Sequence, residues 1–182
     1  GGVNQNYVLG ANNSAPYISP STYTGSQDLF DLYQSDGTLL YTPLMLIDKL
    51  NTFSNEYHEI KSIANVNASY RITDNLTAST RFGLDYTQNV RSVFQNADSF
   101  NSYLFLDPGQ EFGGTDSNSM SRQMIANSTT QLSYTNTFDK HSIEVSAFTE
   151  YVKAHLRGFG FTQTGLDPKS SAPYAGTGYI GY

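Results

Sequence analysis

Between Ile60 and Val90 the side chains alternate in polarity almost without a break. Ile60, Ala64, Val66, Ala68, Tyr70 and Ile72 take even positions, while Lys61, Asn65, Asn67, Ser69 and Arg71 take odd ones. After Thr73-Asp74-Asn75 the pattern resumes, with Leu76, Ala78, Phe82, Leu84 and Tyr86 set against Thr77, Ser79, Arg81, Asp85, Thr87 and Asn89. A strand turns successive side chains to opposite faces, so a period of two gives one apolar face and one polar face. Strands of soluble domains usually run to about 5–6 residues. Each run here is more than twice that long, so the apolar face asks for a solvent or a partner of unusual extent.

A second pair obeys the same rule. Ala126, Thr130, Leu132, Tyr134 and Phe138 oppose Asn127, Thr129, Gln131, Ser133 and Thr135, and the chain then turns through Asp139-Lys140-His141-Ser142. The returning run switches parity, as a four-residue turn requires. Ile143, Val145, Ala147 and Tyr151 are apolar, Glu144, Ser146 and Glu150 are polar, and Phe148 is an apolar exception on the polar face. Both predicted turns are rich in turn-forming residues.

The pattern divides the chain into an irregular region over residues 1–57, a hairpin over 58–91, a long loop over 92–125, a second hairpin over 126–157 and a closing loop over 158–182. Within the first region Thr42–Thr52, apolar and opened by Pro43, can be a short helix or a loop anchor. Short turns at one end and long connections at the other characterise transmembrane β-barrels, whose periplasmic turns are short and outer loops long. Compact soluble domains seldom carry loops of that length.

Composition agrees and excludes alternatives. Charged residues make up only 14% of the chain, while Tyr and Phe number 14 and 11, with no Trp. Aromatics and Thr suit a pleated surface. A net charge of −6 and a pI near 4.8 leave no basic footprint for nucleic acid. With no Cys there is no disulfide framework, thiolate metal site or thiol nucleophile. No apolar run reaches the ~18 residues of a membrane-spanning helix, but spanning strands are only half apolar and escape that test.

A tilted strand of about 9–11 residues crosses the hydrocarbon, so these runs are long enough to do so. Tyr70, Tyr86, Tyr134 and Tyr151 on the apolar face suit an interface, because Tyr has an apolar body and a polar tip. The fold expected is therefore all-β: antiparallel up-and-down hairpins of a transmembrane β-barrel with long extracellular loops, here an open partial barrel. A β-sandwich that packs the same faces together is the alternative, and would suit a secreted glycan-binding module. Four strands cannot close a barrel, and an open edge in lipid leaves backbone groups unpaired. The expectation follows that these strands are an internal segment of a longer wall, or one share of a barrel built from several chains.

With the strands placed, the run Ala64-Asn65-Val66-Asn67-Ala68-Ser69-Tyr70-Arg71-Ile72-Thr73-Asp74-Asn75-Leu76, followed by Arg81-Phe82-Gly83-Leu84-Asp85-Tyr86, resembles the barrel of SusC/RagA-type TonB-dependent transporters. The stretch from Gln131 to Phe138, leading into His141-Ser142-Ile143-Glu144-Val145, is similar to the next hairpin of that family. Where the family often has Asn-Pro before such a hairpin, this chain has Thr42-Pro43. The resemblance covers roughly residues 40 to 160. It implies a bacterial outer-membrane barrel of about 22 strands with an N-terminal plug, driven by TonB through a periplasmic box. It further implies a SusD-type surface lipoprotein over the mouth and an oligosaccharide or peptide as substrate. Neither plug nor TonB box can be placed on these residues.

No catalytic constellation is expected. His58, His141 and His155 lack metal-site spacing, and no nucleophile elbow, P-loop or dinucleotide fingerprint occurs. An outer-membrane lipase or protease would need a Ser–His or Asp–His pair that cannot be assembled here. Asp116-Ser117-Asn118 hints at a calcium loop but lacks its glycine and closing Glu. No cofactor or metal is expected. The candidates for contact with a solute are Arg81, Asp85 and Glu144 (with Glu150) on the polar face, and the loop aromatics Phe94, Tyr103 and Phe105, with Phe100 and Phe112, which can stack on sugar rings. A charge network lining a wet wall, and packing of the loop on itself, are the competing roles.

Overall fold

A computed structural model of the chain describes residues 6–12, 14–36, 41–169 and 176–181. In chain order the elements are α1 (Tyr7–Asn12), a 3-10 turn (Pro20–Thr22), α2 (Ser26–Asp36), α3 (Thr42–Thr52), β1 (Phe53–Thr73), β2 (Leu76–Gln95), α4 (Phe100–Leu104), β3 (Thr115–Phe138), β4 (His141–Leu166) and β5 (Gly176–Gly181). The strands form one antiparallel up-and-down sheet in the order β1-β2-β3-β4-β5 with β1 and β5 at its edges. The fold is all-β in its sheet, with a helical portion that the alternation does not announce.

Packing separates two units. One contains Gly1–Tyr57, Arg91–Ser119 and Phe159–Tyr182; the other contains His58–Val90 and Met120–Gly158.

In the first unit the helices make a small core of Leu29, Leu44, Met45 and Phe100, flanked by Phe30, Tyr33, Ile47 and Leu104. Phe100 is 1% exposed and meets Phe30 and Tyr33 edge-on at 6.3 and 5.6 Å. Edge-to-face geometry places the positive ring edge on a negative ring face and adds to burial. Helix α3 starts with Pro43 in its first turn, where its missing N–H goes unneeded. Helix α4 is opened by Ser99, whose hydroxyl accepts from the Ser102 N–H at 3.1 Å. Asp48, 2% exposed, joins the pieces. It accepts from the Tyr23 hydroxyl and the Phe100 N–H, both at 2.9 Å, and from the Ser26 hydroxyl. The region 1–57, expected to be irregular apart from a short helix or loop anchor over Thr42–Thr52, carries that helix and further ones among its described residues, and its end from Phe53 on belongs to β1. Alternation is blind to short helices whose apolar residues cluster, as Leu29, Phe30, Leu32 and Tyr33 do.

The strand limits also correct the expected loops. The loop expected over 92–125 shrinks, because β2 runs to Gln95, α4 occupies Phe100–Leu104 and β3 begins at Thr115. The closing loop over 158–182 gives way to the end of β4 and to β5, paired through Phe161↔Gly181 to Leu166↔Gly176. Residues 170–175 and 182 lie outside the described residues. Gly165 has φ +68, and a Cβ there would strike the Thr177 side chain, so this position needs glycine.

In the second unit the second turn is tighter than expected, Asp139-Lys140, while the first keeps the register of its three-residue connection, since Asn67 meets Arg81 and Asn65 meets Gly83, odd with odd. Asp139 takes φ 51, a left-handed conformation that Asp tolerates better than most side chains. An even-length turn preserves the parity switch, so the face assignment of β4 survives the shorter loop.

Candidate functional site

Cross-strand contacts in the second unit fix which residues share a face. Arg81 Nε donates to Asn67 Oδ1 at 3.0 Å, and Lys61 Nζ pairs with Asp85 at 3.5 Å. Gln131 Nε2 donates to Ser133 Oγ at 2.7 Å, and the Ser133 and Ser146 hydroxyls share a hydrogen bond at 3.0 Å. Gly83 lies beneath the side chains of Asn65 and Asn127, which approach it from β1 and β3. One face therefore carries the odd residues of β1, β2 and β3 and the even residues of β4, and it is the polar one. Where the neighbouring side chains need closest approach, a glycine supplies it.

A shallow recess of about 370 Å³ opens on this face between Asn67, Ser69, Ser79, Arg81, Thr129 and Gln131. It offers amide, hydroxyl and guanidinium groups that can exchange hydrogen bonds with a hydroxyl-rich or peptide solute. Asn89 Oδ1 on the same strand face is buried and has no protein donor among the described residues.

The sequence candidates divide. Arg81 lines the recess, and Asp85 is held by Lys61, with both side chains of that pair well exposed. Glu144 is not brought to them. The Thr135 N–H donates to the Asn75 carbonyl at 2.8 Å, and the Ser133–Ser146 contact sets Glu144 near that level, close to the short turns, whereas Arg81 lies farther along β2. Glu150 shares the polar face of β4. The residues that alternation alone did not single out, Asn67, Thr129 and Gln131, complete the recess. Their signal was available: they are polar residues of adjacent strands on one parity.

The loop aromatics, all in the first unit, also divide. Phe100 is core. Tyr103 is half-buried against Phe30 at 5.7 Å, and its hydroxyl donates to Asp98 at 3.3 Å. Burial, with the nearby Asp98 charge, raises its phenol pKa above the ordinary value. Phe94 and Phe105 remain exposed, at 39% and 66%. Phe105 borders a recess of about 240 Å³ with Gln95, Asn101, Asp107 and Gln110. So of the three aromatic candidates, Phe105 presents an open ring beside polar groups, while Tyr103 is committed to its own unit.

No group of three or more metal-ligating side chains occurs among the described residues. Asp116 is occupied otherwise, accepting from Asn118 Nδ2 at 2.7 Å and from Gln163 Nε2 at 3.1 Å. His58 and His155 lie on β1 and β4, and His141 opens β4. Among the described residues no helix is long and apolar enough to cross a membrane, which says nothing of crossing by strands. Compared with known proteins, the chain matches no family model and no curated relative.

Proposed function

We propose that the four long strands are part of the wall of an outer-membrane β-barrel, and that this barrel belongs to a TonB-dependent transporter of the SusC/RagA type importing oligosaccharides or peptides. One observation carries the barrel: the second unit is a sheet with two opposite solvents written into its faces. The even residues of β1–β3 and the odd residues of β4 display Val66 (64% exposed), Tyr70 (73%), Phe138 (53%) and Val145 (60%), among others. The opposite face is cross-linked by the polar contacts described above. Apolar surface of this extent destabilises a protein in water, at about 25 cal/mol per Å² left exposed. Against lipid tails it costs nothing. The Thr80 and Thr130 hydroxyls on that face share a hydrogen bond at 3.1 Å, which lowers the cost of facing hydrocarbon.

The free edges of this unit, β1 and β4 ahead of its pairing with β5, then require further strands, because lipid cannot satisfy free backbone groups. A sandwich would need a second sheet over the apolar face, and the described strands belong to one sheet. In the transporter the recess around Arg81 and Gln131 lies on the lumen side and meets solute or plug, and Phe105 belongs to the mouth. A SusD-type lipoprotein and TonB are the partners this function needs, and no catalytic step falls to these residues.

The test is extraction and folding of the intact protein. A barrel resides in the outer membrane, requires detergent, and migrates faster on electrophoresis before boiling than after. Deleting it should abolish uptake of one class of oligosaccharide or peptide. A monomeric protein that is soluble without detergent and melts cooperatively in water sinks the proposal.

A further inference from the structure

The apolar face of β4 changes character partway along the strand. From His141 it presents Ile143, Val145, Ala147 and Tyr151, and then Lys153, His155 and Arg157. The apolar part, His141 to Glu150, matches the ~9–11 residues with which a tilted strand crosses hydrocarbon. Tyr151 follows where an interfacial ring belongs. On the same face of β3, Arg122 and Met124 adjoin His155 and Arg157, and with Tyr86 they border a shallow recess of about 180 Å³. Arg157 Nε donates to His155 Nε2 at 3.0 Å, which holds the guanidinium against the imidazole.

The charges on the two faces of this unit are sorted. Its strand carboxylates, Glu59, Asp85, Glu144 and Glu150, all fall on the polar face by parity, and none falls on the face of Arg122, Lys153 and Arg157. No ion pair engages those three cations among the described residues. They are three of the ten Lys and Arg in a chain of net charge −6. A general excess of positive charge cannot account for their grouping. A cationic patch directly above an apolar band fits an amphiphile whose acyl chains lie on the band and whose anionic head reaches the patch.

Resting on the barrel reading, we infer that Arg122, Lys153 and Arg157 bind the phosphorylated head of an outer-leaflet glycolipid, by a phosphomonoester on its sugar. A phosphomonoester carries about −1.5 to −2 charge at neutral pH, against −1 for a diester. It also offers oxygens in the geometry that guanidinium groups engage bidentately. Arg122 and Arg157 border one recess and Lys153 follows on the same face of β4, a grouping that suits the more highly charged head.

The experiment uses the intact protein in phosphatidylcholine nanodiscs doped with either lipid A or phosphatidylglycerol, with bound lipid counted by native mass spectrometry. Lipid A should be retained in preference to phosphatidylglycerol. Replacing Arg122, Lys153 and Arg157 together by Ala should lower its retention about tenfold or more, the scale expected for losing several charge-assisted contacts. Replacing Lys61 and Arg81 on the opposite face should leave retention unchanged, and restoring Arg157 in the triple variant should recover part of it. Equal retention of phosphatidylglycerol, displacement of lipid A by millimolar inorganic phosphate alone, or full retention by the triple variant each overturns the inference. Electrophoretic heat modification of the same samples keeps the two proposals apart. A heat-modifiable barrel without bound lipid A defeats only this one, whereas a protein that never enters the nanodisc defeats the barrel.

Discussion

The helical cluster around Phe100 and the strand unit around Val66 and Val145 treat the same residue types in opposite ways. In the first, Leu29, Leu44, Met45 and Phe100 are each exposed by 3% or less, and a buried carboxylate, Asp48, is saturated with donors. In the second, Val, Ile, Phe and Tyr stand open along much of one face, and the strand carboxylates are sorted to the other. A helical core is closed by its own side chains and needs water outside it. The strand face is closed by nothing within its own unit, so its stability is set by whatever solvent touches it.

The largest effect that can break this contrast is at Phe100. Phe100→Ala should destabilise the helical unit by about 3–5 kcal/mol, the range for deleting a buried aromatic. Amide exchange of Leu29–Tyr33 and Leu44–Lys49 reads it, and a change under about 1 kcal/mol would remove Phe100 from any core. Next comes the pair Val145→Arg and Ser146→Arg. Refolded into bilayers, the first should cost about 2–4 kcal/mol, as for Arg on a lipid-facing barrel position near the midplane, and the second far less. The reverse order breaks the face assignment. Asp48→Ala should cost about 1–3 kcal/mol by leaving the Phe100 N–H and two hydroxyls without their acceptor, measured by denaturant titration. Asp48→Asn should recover part of the loss. Removing the exposed pair by Lys61→Met should cost less than about 1 kcal/mol, and less again in high salt. A double-mutant cycle with Asp85→Asn measures it.

The smallest effect is a slope. Burial, with the Asp48 charge in the same direction, raises the Tyr23 phenol above its ordinary 10.0. Between that value and the raised one the unfolded chain has lost a proton that the folded chain keeps, so stability present below pH 10 declines as pH rises through the folded value. Tyr23→Phe should make the alkaline decline shallower. Lys49, lowered from 10.5 by burial, titrates with the opposite sign nearby, so the difference between the two proteins carries the test rather than either curve. An unchanged alkaline slope would remove Tyr23 from the titrating set.

The existence of four strands, their two faces and the places where they turn were legible in the sequence because alternation is a local signal. Residue 66 points opposite to residue 67 whatever surrounds them. Strand ends were not legible. Past Glu150 on β4 the polarity of the two faces exchanges, with Val152 and Leu156 on the formerly polar side, and the strand, expected to end at 157, runs on to Leu166. Helix α2 was missed because its apolar residues fall close together over a short span. The loop aromatics could be named but not sorted. Whether Phe100 is core and Phe105 open depends on which helices arrive beside them.

The sequence by itself therefore determined the period, and with it a sheet whose faces need different surroundings, because side-chain direction in a strand follows from backbone geometry. Only the tertiary structure decided what the faces assemble. Asn67, Arg81 and Gln131 meet on one side, and Arg122, His155 and Arg157 meet on the other, far apart in the chain and adjacent only through strand register. Register is set jointly by turn length and by hydrogen bonds between strands, and no single stretch of sequence contains both.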